Sequence, residues 1–207
     1  MEIKINTQSS IKIITNKIIY FDPYLIKDEM HDAKIIFITH SHYDHFDINS
    51  INNIRNDDTY IVIPDDKDIL DVLDFSEDKI LIVKPNNKYD LLGISFLTVP
   101  AYNINKSFHK REYEWVGYVL NYNNNIYYVM GDTDSIDEAR EVKCDYLFIP
   151  IGGYYTMDYT EASILTNLIH PKKVFPIHYG SIVGDKSFGD DFSKLVADDI
   201  EVNILLK

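Results

Sequence analysis

The stretch Thr39-His40-Ser41-His42-Tyr43-Asp44-His45-Phe46-Asp47 decides how the rest of this chain is interpreted. It follows the apolar run Ile-Ile-Phe-Ile at 35–38, which predicts a buried strand that ends where the polar residues begin. Because side chains alternate along a strand with a period of two, His40 and His42 are predicted to point to the same side. Both rings could then reach one ion from a single strand end.

Two further side chains of this stretch, Asp44 and His45, come just after the bend. A turning backbone there could direct them at a second ion nearby. Neutral imidazole suits zinc, iron and related divalent metals, and a carboxylate adds a hard oxygen ligand. The alternative is a solvated His-rich loop, but the pattern H-x-H-x-D-H is specific enough to favour a metal site.

Composition places the chain among ordinary globular proteins, since 45% of its 207 residues are hydrophobic and 26% are charged. This length predicts a single domain over residues 1–207. The formal charge of −13 repels polyanions and offers no basic patch, so nucleic acid is not expected as a partner. A small-molecule substrate is expected instead, and a phosphorylated one is allowed because bound divalent cations dominate the local charge.

The single cysteine, Cys144, excludes an intramolecular disulfide, and its position before the apolar run 145–149 predicts a small buried hydrophobe. The N-terminus lacks the apolar core of a signal peptide, and no run reaches the ~18 apolar residues of a membrane span. These features predict a cytoplasmic protein. The sequence leaves the oligomeric state open, and a homo-oligomer is compatible with it.

Strand and helix patterns alternate along the chain. Predicted strands cover 2–6, 11–15, 17–21, 35–39, 59–63, 79–83, 94–99, 115–122, 126–130, 145–149, 173–177 and 200–205. Predicted helices cover 46–55, 66–73 and 158–170, with a last one near Phe192 to Val196. Strands with interspersed helices favour two sheets covered by helices on their outer faces over an all-β barrel. Asp132 and His178 also follow strands, and convergent strand ends are where such folds build sites.

Several short motifs carry a resemblance to a known family. They are Asp22-Pro23, Thr39 to His45, Val99 to Asn103, Gly131-Asp132-Thr133, Pro150 to Gly153, Tyr155-Thr156-Met157, Glu161-Ala162 and Pro176 to Gly180. Through them the chain resembles the metallo-β-lactamase-fold metal-dependent hydrolases, in particular the branch of ascorbate-6-phosphate lactonase-like proteins. The resemblance implies an α/β (α+β) fold, a four-layer αβ/βα sandwich.

The same resemblance implies two divalent metal ions, with zinc first and manganese or iron as alternatives. One ion would be held by His40 and His42, the other by Asp44, His45 and His178. Asp132 would bridge both ions.

The chain departs from the common family pattern at Tyr102, where many members carry a further histidine. His109, on the following loop, could supply the missing ligand. The alternative is an exposed loop histidine among the basic residues Lys106, Lys110 and Arg111. Tyr102, Asn103 and Tyr155 are candidates for substrate binding, with simple packing as the alternative. Gly152 and Gly153 favour a tight turn over contact with a ligand.

A divalent ion lowers the pKa of bound water toward about 7, which supplies a hydroxide nucleophile. Asp44 is the predicted catalytic residue, which would steer or relay the proton. The predicted reaction is hydrolysis of a small ester, lactone, amide or phosphoester. One alternative is a phosphodiesterase or nuclease of the same superfamily, which the absence of a basic patch disfavours. The other is a non-catalytic metal-binding or redox protein on the same scaffold, which Tyr102 motivates.

Overall fold

The computed structural model describes residues 1–206, which form two compact units, Met1–Val83 (unit 1) and residues 84–206 (unit 2). Among the described residues, each unit is built on one mixed β-sheet, with six strands in unit 1 and seven in unit 2. Helices are interspersed between the strands of both sheets. The predicted α/β fold with two sheets is therefore confirmed.

Unit 1 begins with an antiparallel meander and continues as a parallel sheet. Its strands are β1 (Glu2–Ile5), β2 (Ile11–Ile14), β3 (Ile18–Phe21), β4 (Ile35–Phe37), β5 (Tyr60–Pro64) and β6 (Ile80–Val83), and its helices are α1 (Ile48–Ile54) and α2 (Lys67–Leu70). The strands follow one another in space in chain order, antiparallel up to β3 and parallel from β3 to β6. The predicted opening meander is confirmed.

The strand that leads into the His-rich stretch is short and completely buried. All three residues of β4 are 0% exposed, which is typical of a parallel strand covered on both faces. Helix α1 packs on this sheet through Ile51 and Ile54. It starts at the N-cap Asp47, whose carboxylate accepts from the Asn49 backbone N–H at 3.1 Å. The His-rich stretch is therefore held between a buried strand and a capped helix.

Unit 2 repeats the order of unit 1, with an antiparallel part followed by a parallel part. Its strands are β7 (Lys88–Leu91), β8 (Ile94–Pro100), β9 (Val116–Tyr122), β10 (Asn125–Val129), β11 (Tyr146–Pro150), β12 (Lys173–Ile177) and β13 (Glu201–Val202), and its helices are α3 (Asp137–Arg140), α4 (Tyr159–Ile169) and α5 (Phe188–Ser193). Strands β7 to β10 are antiparallel neighbours, and β10 to β13 are parallel neighbours. As a result the carboxyl ends of β8, β10, β11 and β12 lie at one edge of the sheet.

Two local predictions in unit 2 are confirmed in detail. Asn123 and Asn124 both have positive φ angles, +51° and +59°, as the tight hairpin between β9 and β10 requires. Asp158 accepts from the backbone N–H groups of Thr160 and Glu161, and the Glu161 side chain accepts from the Asp158 N–H. This capping box fixes where α4 begins.

Other boundaries were predicted wrongly or missed. Strand β7 was not predicted, because its Lys-Tyr-Asp-Leu sequence is that of a polar edge strand. Helix α3 was also missed, and α2 is shorter than the predicted 66–73. The last helix lies earlier in the chain than predicted, and the last strand spans only two residues. All of these elements are short, so the sequence carries few periods of pattern to detect.

Helices long and apolar enough to cross a membrane are absent from residues 1–206.

Candidate metal centre

Four predicted ligands of unit 1 form one cluster, the N-terminal ligand set: His40, His42, Asp44 and His45. His40, Asp44 and His45 are buried, and His42 is half-buried. The Nε2 atom of His40 lies 3.0 Å from Nδ1 of His42, which confirms that the two rings point to the same side. The rings of His40 and His45 lie 4.0 Å apart between centroids. Three imidazoles of one strand end are therefore gathered in one buried place.

A tight turn brings the second half of this set back toward the first. The backbone N–H groups of His45 and Phe46 both donate to the His42 carbonyl oxygen, at 2.9 and 2.8 Å. The turn leaves the Asp44 carboxylate 3.7 Å from Nε2 of His45. Gln8, which is fully buried, donates from its side-chain amide to the same Asp44 oxygen at 3.4 Å.

A buried carboxylate that the sequence did not identify as functional, Asp22, orients the N-terminal ligand set. Strands β3 and β4 are parallel neighbours with Phe21 opposite Phe37, so the residues that follow them lie side by side. Asp22 Oδ1 accepts from the Thr39 N–H at 2.8 Å, and Oδ2 accepts from Nδ1 of His45 at 2.7 Å. Because Nδ1 of His45 carries the proton, Nε2 has the lone pair that a metal requires.

Asp22 also orients the His40 ring, through the hydroxyl group of Thr39. This hydroxyl donates to Asp22 Oδ2 at 2.7 Å, so it accepts from Nδ1 of His40 at 2.9 Å. Nε2 of His40 is then also the nitrogen with a lone pair. Burial raises the pKa of Asp22 above its ordinary value, while His45 and the Thr39 donors act in the opposite direction. These donors are what allow a carboxylate to lie in the interior.

Three predicted ligands of unit 2 form a second cluster, the C-terminal ligand set: His109, Asp132 and His178. All three are buried, at 1%, 3% and 2% exposure. Asp132 Oδ2 lies 3.3 Å from Nε2 of His109 and 3.1 Å from Nε2 of His178. One carboxylate oxygen is therefore placed between two imidazole nitrogens. The alternative of an exposed loop histidine at 109 is wrong.

The three members of this set come from different strand ends of the same sheet. Asp132 follows β10 after Gly131, whose φ of +67° allows the chain to turn immediately before the carboxylate. His178 follows β12 with a φ of +58°, a conformation that is unusual for a histidine. His109 lies on the loop between β8 and β9. Strained backbone of this kind is typical of functional sites.

Gly152 permits the backbone of His178 to approach β11 closely. A Cβ at position 152 would collide with the His178 carbonyl oxygen and with the Val183 side chain. Gly153 has a φ of +91° and opens the following turn. The predicted tight turn is confirmed, and Gly152 additionally supports the position of a candidate ligand.

The predicted substrate candidates have different surroundings. The Tyr102 hydroxyl donates to Glu138 at 3.1 Å, and the Arg111 guanidinium lies 4.9 Å above the Tyr102 ring. Burial, followed by this bond to Glu138, raises the pKa of the Tyr102 hydroxyl. The phenol is therefore engaged with α3, while Thr133 holds the Tyr102 backbone N–H at 3.2 Å.

Tyr155 belongs to an aromatic trio beside the C-terminal ligand set. Its ring centroid lies 4.8 Å from that of Phe108 and 4.9 Å from that of Tyr154. Tyr154 is 67% exposed, although an aromatic ring of this size is usually covered. Phe108 directly precedes His109, so these rings adjoin a candidate ligand.

The chemistry of the donors fits divalent metal ions in both sets. Each set combines buried imidazole nitrogens with a carboxylate, which suits zinc, iron or manganese. Several of the rings are held in one orientation through their other nitrogen, as is usual for metal-binding histidines. Sequence analysis assigned no orienting role to Asp22, Asn103 or Asp134, and it named Asn103 only as a candidate for substrate binding. Asp22 directly follows β3, which is a signal in the sequence, whereas Asn103 and Asp134 lie three and five residues beyond the ends of β8 and β10.

Comparisons with known proteins agree on one family. Residues 3–178 match the sequence model described as the Beta-lactamase superfamily domain, a span that contains both ligand sets. A UPF0173 metal-dependent hydrolase of Saccharolobus solfataricus is 30% identical over 199 residues, which cover 87% of this chain and 85% of that protein. A protein of the same name from Thermococcus onnurineus is 28% identical over 95% of this chain and 92% of its own.

A solved structure resembles the chain over nearly its whole length. The crystal structure of a protein named as a metal-dependent hydrolase from Parabacteroides distasonis matches with a TM-score of 0.82 at 26% identity. The match covers 99% of this chain and 93% of that one.

Proposed function

This chain belongs to the beta-lactamase superfamily and, within it, to the UPF0173 metal-dependent hydrolases; from that premise we propose that it hydrolyses a small-molecule substrate with its two ligand sets. The predicted family and fold class are thereby confirmed. The narrower resemblance to ascorbate-6-phosphate lactonase-like proteins stays a prediction. So does the single domain over residues 1–207, which relatives that match both units support.

The observation that carries this proposal is the buried carboxylate of Asp132 between Nε2 of His109 and Nε2 of His178. A hydrogen bond from His109 to Asp132 would need a proton on Nε2 of His109, but Nδ1 of that ring faces Asn103 Oδ1 at 3.0 Å, and an amide oxygen can only accept. Two imidazole nitrogens at 3.1 and 3.3 Å from one oxygen instead suit a shared cation.

We assign the ligands as follows. As the family resemblance implies, His40 and His42 would hold one ion, with His109 as the further ligand, and Asp44, His45 and His178 would hold the other; Asp132 would contribute to both. Zinc is the proposed native metal. Manganese and iron are alternatives, because the metal that a site binds in the cell depends on metal availability as well as on ligand type and geometry.

When bound, divalent ions polarise the scissile bond and lower the pKa of water toward about 7. Asp44 is the proposed residue that takes and relays the proton, because its carboxylate is held near Nε2 of His45 and by the Gln8 amide. All members of the two ligand sets except His42 are buried, which limits the access of bulk water to these side chains. The proposed reaction classes are hydrolysis of an ester, lactone, amide or phosphoester.

The aromatic trio of Phe108, Tyr154 and Tyr155 is the proposed wall for the apolar part of the substrate. The Tyr154 ring is exposed and the other two rings are half-buried, and an aromatic group of this kind next to a candidate ligand is typical of a binding surface. Tyr155 thus remains a substrate candidate, whereas Tyr102 is engaged by Glu138.

Metal content and turnover of purified protein test the proposal together. We expect the wild-type protein to retain divalent metal through dialysis and to hydrolyse at least one member of a panel of nitrophenyl esters, lactones, anilides and phosphodiesters. Asp132→Asn should lower metal content and reduce turnover by roughly 100-fold, because second-sphere changes alone have effects of 10–100-fold.

The matched control is Asp137→Asn, which makes the same chemical change at a side chain that is 91% exposed on α3. It should leave metal and turnover unchanged. Retention of full metal and turnover by the Asp132 variant, or a metal-loaded wild-type protein that hydrolyses nothing in the panel, would overturn the proposal.

A further inference from the structure

The loop between β8 and β9 is closed on itself by one side chain, Asn103. The Asn103 backbone N–H donates to the His109 carbonyl at 2.7 Å. In return, the His109 backbone N–H donates to Asn103 Oδ1 at 3.1 Å. Nδ1 of the His109 ring also lies 3.0 Å from that same Oδ1. Both residues are buried.

We propose that Asn103 is a positioning residue that holds His109 as a metal ligand through its amide oxygen. This inference rests on the proposed function, because it takes His109 as a ligand. It assigns Asn103, a candidate for substrate binding in the sequence, to a different role.

The orientation of the Asn103 amide follows from all of its partners. Its Oδ1 faces the His109 backbone N–H, which can only donate. Its Nδ2 faces two groups that can only accept, Asp134 Oδ1 at 3.2 Å and the Tyr155 carbonyl at 3.0 Å. Oxygen and nitrogen of the amide are therefore assigned by chemistry.

The assignment of the amide fixes the tautomer of His109. Because Oδ1 can only accept, Nδ1 of His109 must carry the proton. Nε2 then has the lone pair, and this is the atom that faces Asp132 at 3.3 Å. The ring is thus prepared for coordination before any metal arrives.

The loop that Asn103 closes, residues 103–109, is hydrogen-bonded to the segment that carries Asp132. Asp134 accepts the Asn103 amide at Oδ1 and the Ile104 backbone N–H at Oδ2, at 2.9 Å. Lys106 also pairs with Asp134 at 2.7 Å. Because Asp134 lies two residues after Asp132, the loop is held in register with the carboxylate that His109 faces.

This arrangement accounts for the tyrosine at position 102. The Tyr102 hydroxyl is bound to Glu138, so a ligand from this loop must come from farther along. The hydrogen bonds between Asn103 and His109 close this loop and hold His109, six residues after Asn103, in position. A loop histidine could otherwise sample many positions and would lose conformational entropy when it bound metal.

A double-mutant cycle on zinc affinity tests the proposal with the full-length protein. The variants are Asn103→Ala, His109→Ala and the double variant, and affinity is measured by competition with a chromophoric chelator. We expect Asn103→Ala to weaken zinc binding about 10–100-fold in the wild-type background. In the His109→Ala background the same change should have almost no effect, because the residue through which Asn103 acts is gone.

Asn105→Ala is the matched control, because Asn105 is exposed on the same loop. It should bind zinc as the wild type does. Equal effects of Asn103→Ala in both backgrounds would mean a general role in loop structure and would overturn the proposal. A wild-type protein that binds no zinc, or a His109→Ala variant of unchanged affinity, would instead overturn the ligand assignment in the proposed function.

A readout on the metal-free protein is independent of activity. Nitrogen-15 NMR of the His109 ring should show the Nδ1–H tautomer in the wild type and a tautomer mixture in Asn103→Ala. Asn103→Asp keeps an acceptor at Oδ1 and should keep the Nδ1–H tautomer, but it should free the loop from Asp134 and the Tyr155 carbonyl, which face the lost donor. If the Ala variant does not fold, loss of the Nδ1–H tautomer in this Asp variant would contradict the proposal. A wild-type ring protonated at Nε2 would contradict the proposal.

Discussion

The two ligand sets achieve the same result with different groups. In the N-terminal ligand set the orienting group is a carboxylate, Asp22, whose oxygen lies 2.7 Å from Nδ1 of His45. In the C-terminal ligand set it is a neutral amide, Asn103, whose oxygen lies 3.0 Å from Nδ1 of His109. Both groups put the lone pair of the ring on Nε2.

The two orienting groups differ in charge, and this determines which partners each of them needs in the interior. A charged group in the interior must be surrounded by donors, and Asp22 has the Thr39 N–H, the Thr39 hydroxyl and the His45 ring. An amide lies in the interior at lower cost, and it both donates and accepts. Asn103 therefore connects a loop to a neighbouring segment, whereas Asp22 stabilises rings within a preformed strand end. The variants below separate these roles.

Asp22→Ala should have the largest effect on stability. It removes the acceptor of three buried donors and breaks a buried pair, so we expect the free energy of unfolding of the metal-free protein to fall by about 3–5 kcal/mol. Urea denaturation measures this loss.

Asp32→Ala is the matched control, because the Asp32 carboxylate bonds Lys12 and Tyr20 in the same sheet but is partly exposed. Its loss should be clearly smaller. Equal losses for the two variants would show that Asp22 has no special structural role.

Asp22→Asn sharpens the comparison between carboxylate and amide. We expect its Oδ1 to keep the Thr39 N–H, so that Nδ2 faces Nδ1 of His45 and becomes the donor. The proton of His45 then moves to Nε2, which removes the lone pair required for metal. Zinc affinity should fall about 10–100-fold, with a smaller loss of stability than in Asp22→Ala. Unchanged affinity would mean that the tautomer of His45 does not matter.

Gly152→Ala tests whether the backbone of His178 supports the C-terminal ligand set. The added methyl group collides with the His178 carbonyl, so we expect a loss of about 1–3 kcal/mol and weaker zinc binding. Gly93→Ala provides the control, since φ is +76° there and no atom lies within 4 Å of the added carbon. It should lower stability through backbone strain alone and leave zinc affinity intact. Weaker zinc binding in both variants would exclude a local effect at His178.

The smallest effect is expected at Asp145, a carboxylate outside both ligand sets. Lys172 at 2.7 Å, and then the Ile126 N–H, hold the pKa of Asp145 below its usual value. The contribution of Asp145 to stability is therefore complete above its unfolded pKa of about 4 and is lost as the pH falls through the lower folded pKa. Asp145→Asn should cost about 0.2–1 kcal/mol at pH 6. Urea denaturation from pH 6 to 2 should show the difference from wild type disappearing at low pH, and a constant difference would contradict it.

The sequence predicted helices and strands correctly where a run of apolar residues was long or where a helix began with a recognisable capping motif. Strand β12 and helix α4 lie where the patterns predicted them, because four consecutive buried residues and a capping box leave few alternatives. Strand β7 and helix α3 were not predicted, since each has only four residues and its conformation is decided by its neighbours. Most predicted ends were off by at most two residues, as expected where helices and strands fray, but ends of α2, α5 and β13 were off by three or four.

The sequence predicted more of the N-terminal ligand set than of the C-terminal ligand set. The N-terminal set is contiguous, so the strand period alone indicated that His40 and His42 share a side. The burial of His109 was not predictable, because its basic neighbours suggest an exposed loop. Only the hydrogen bonds of Asn103 and Asp134 explain why that loop turns inward.

The sequence by itself determined the donor types, the strand tips that carry them and the family, because these depend on residue identity and on local period. Only the tertiary structure decided which nitrogen of each ring carries a proton. That choice depends on partners brought close by strand pairing, such as Asp22 beside Thr39 and Asn103 beside Asp134. Local sequence pattern cannot specify it, because a hydrogen bond requires two groups to meet within about 3 Å, and the fold alone sets that distance.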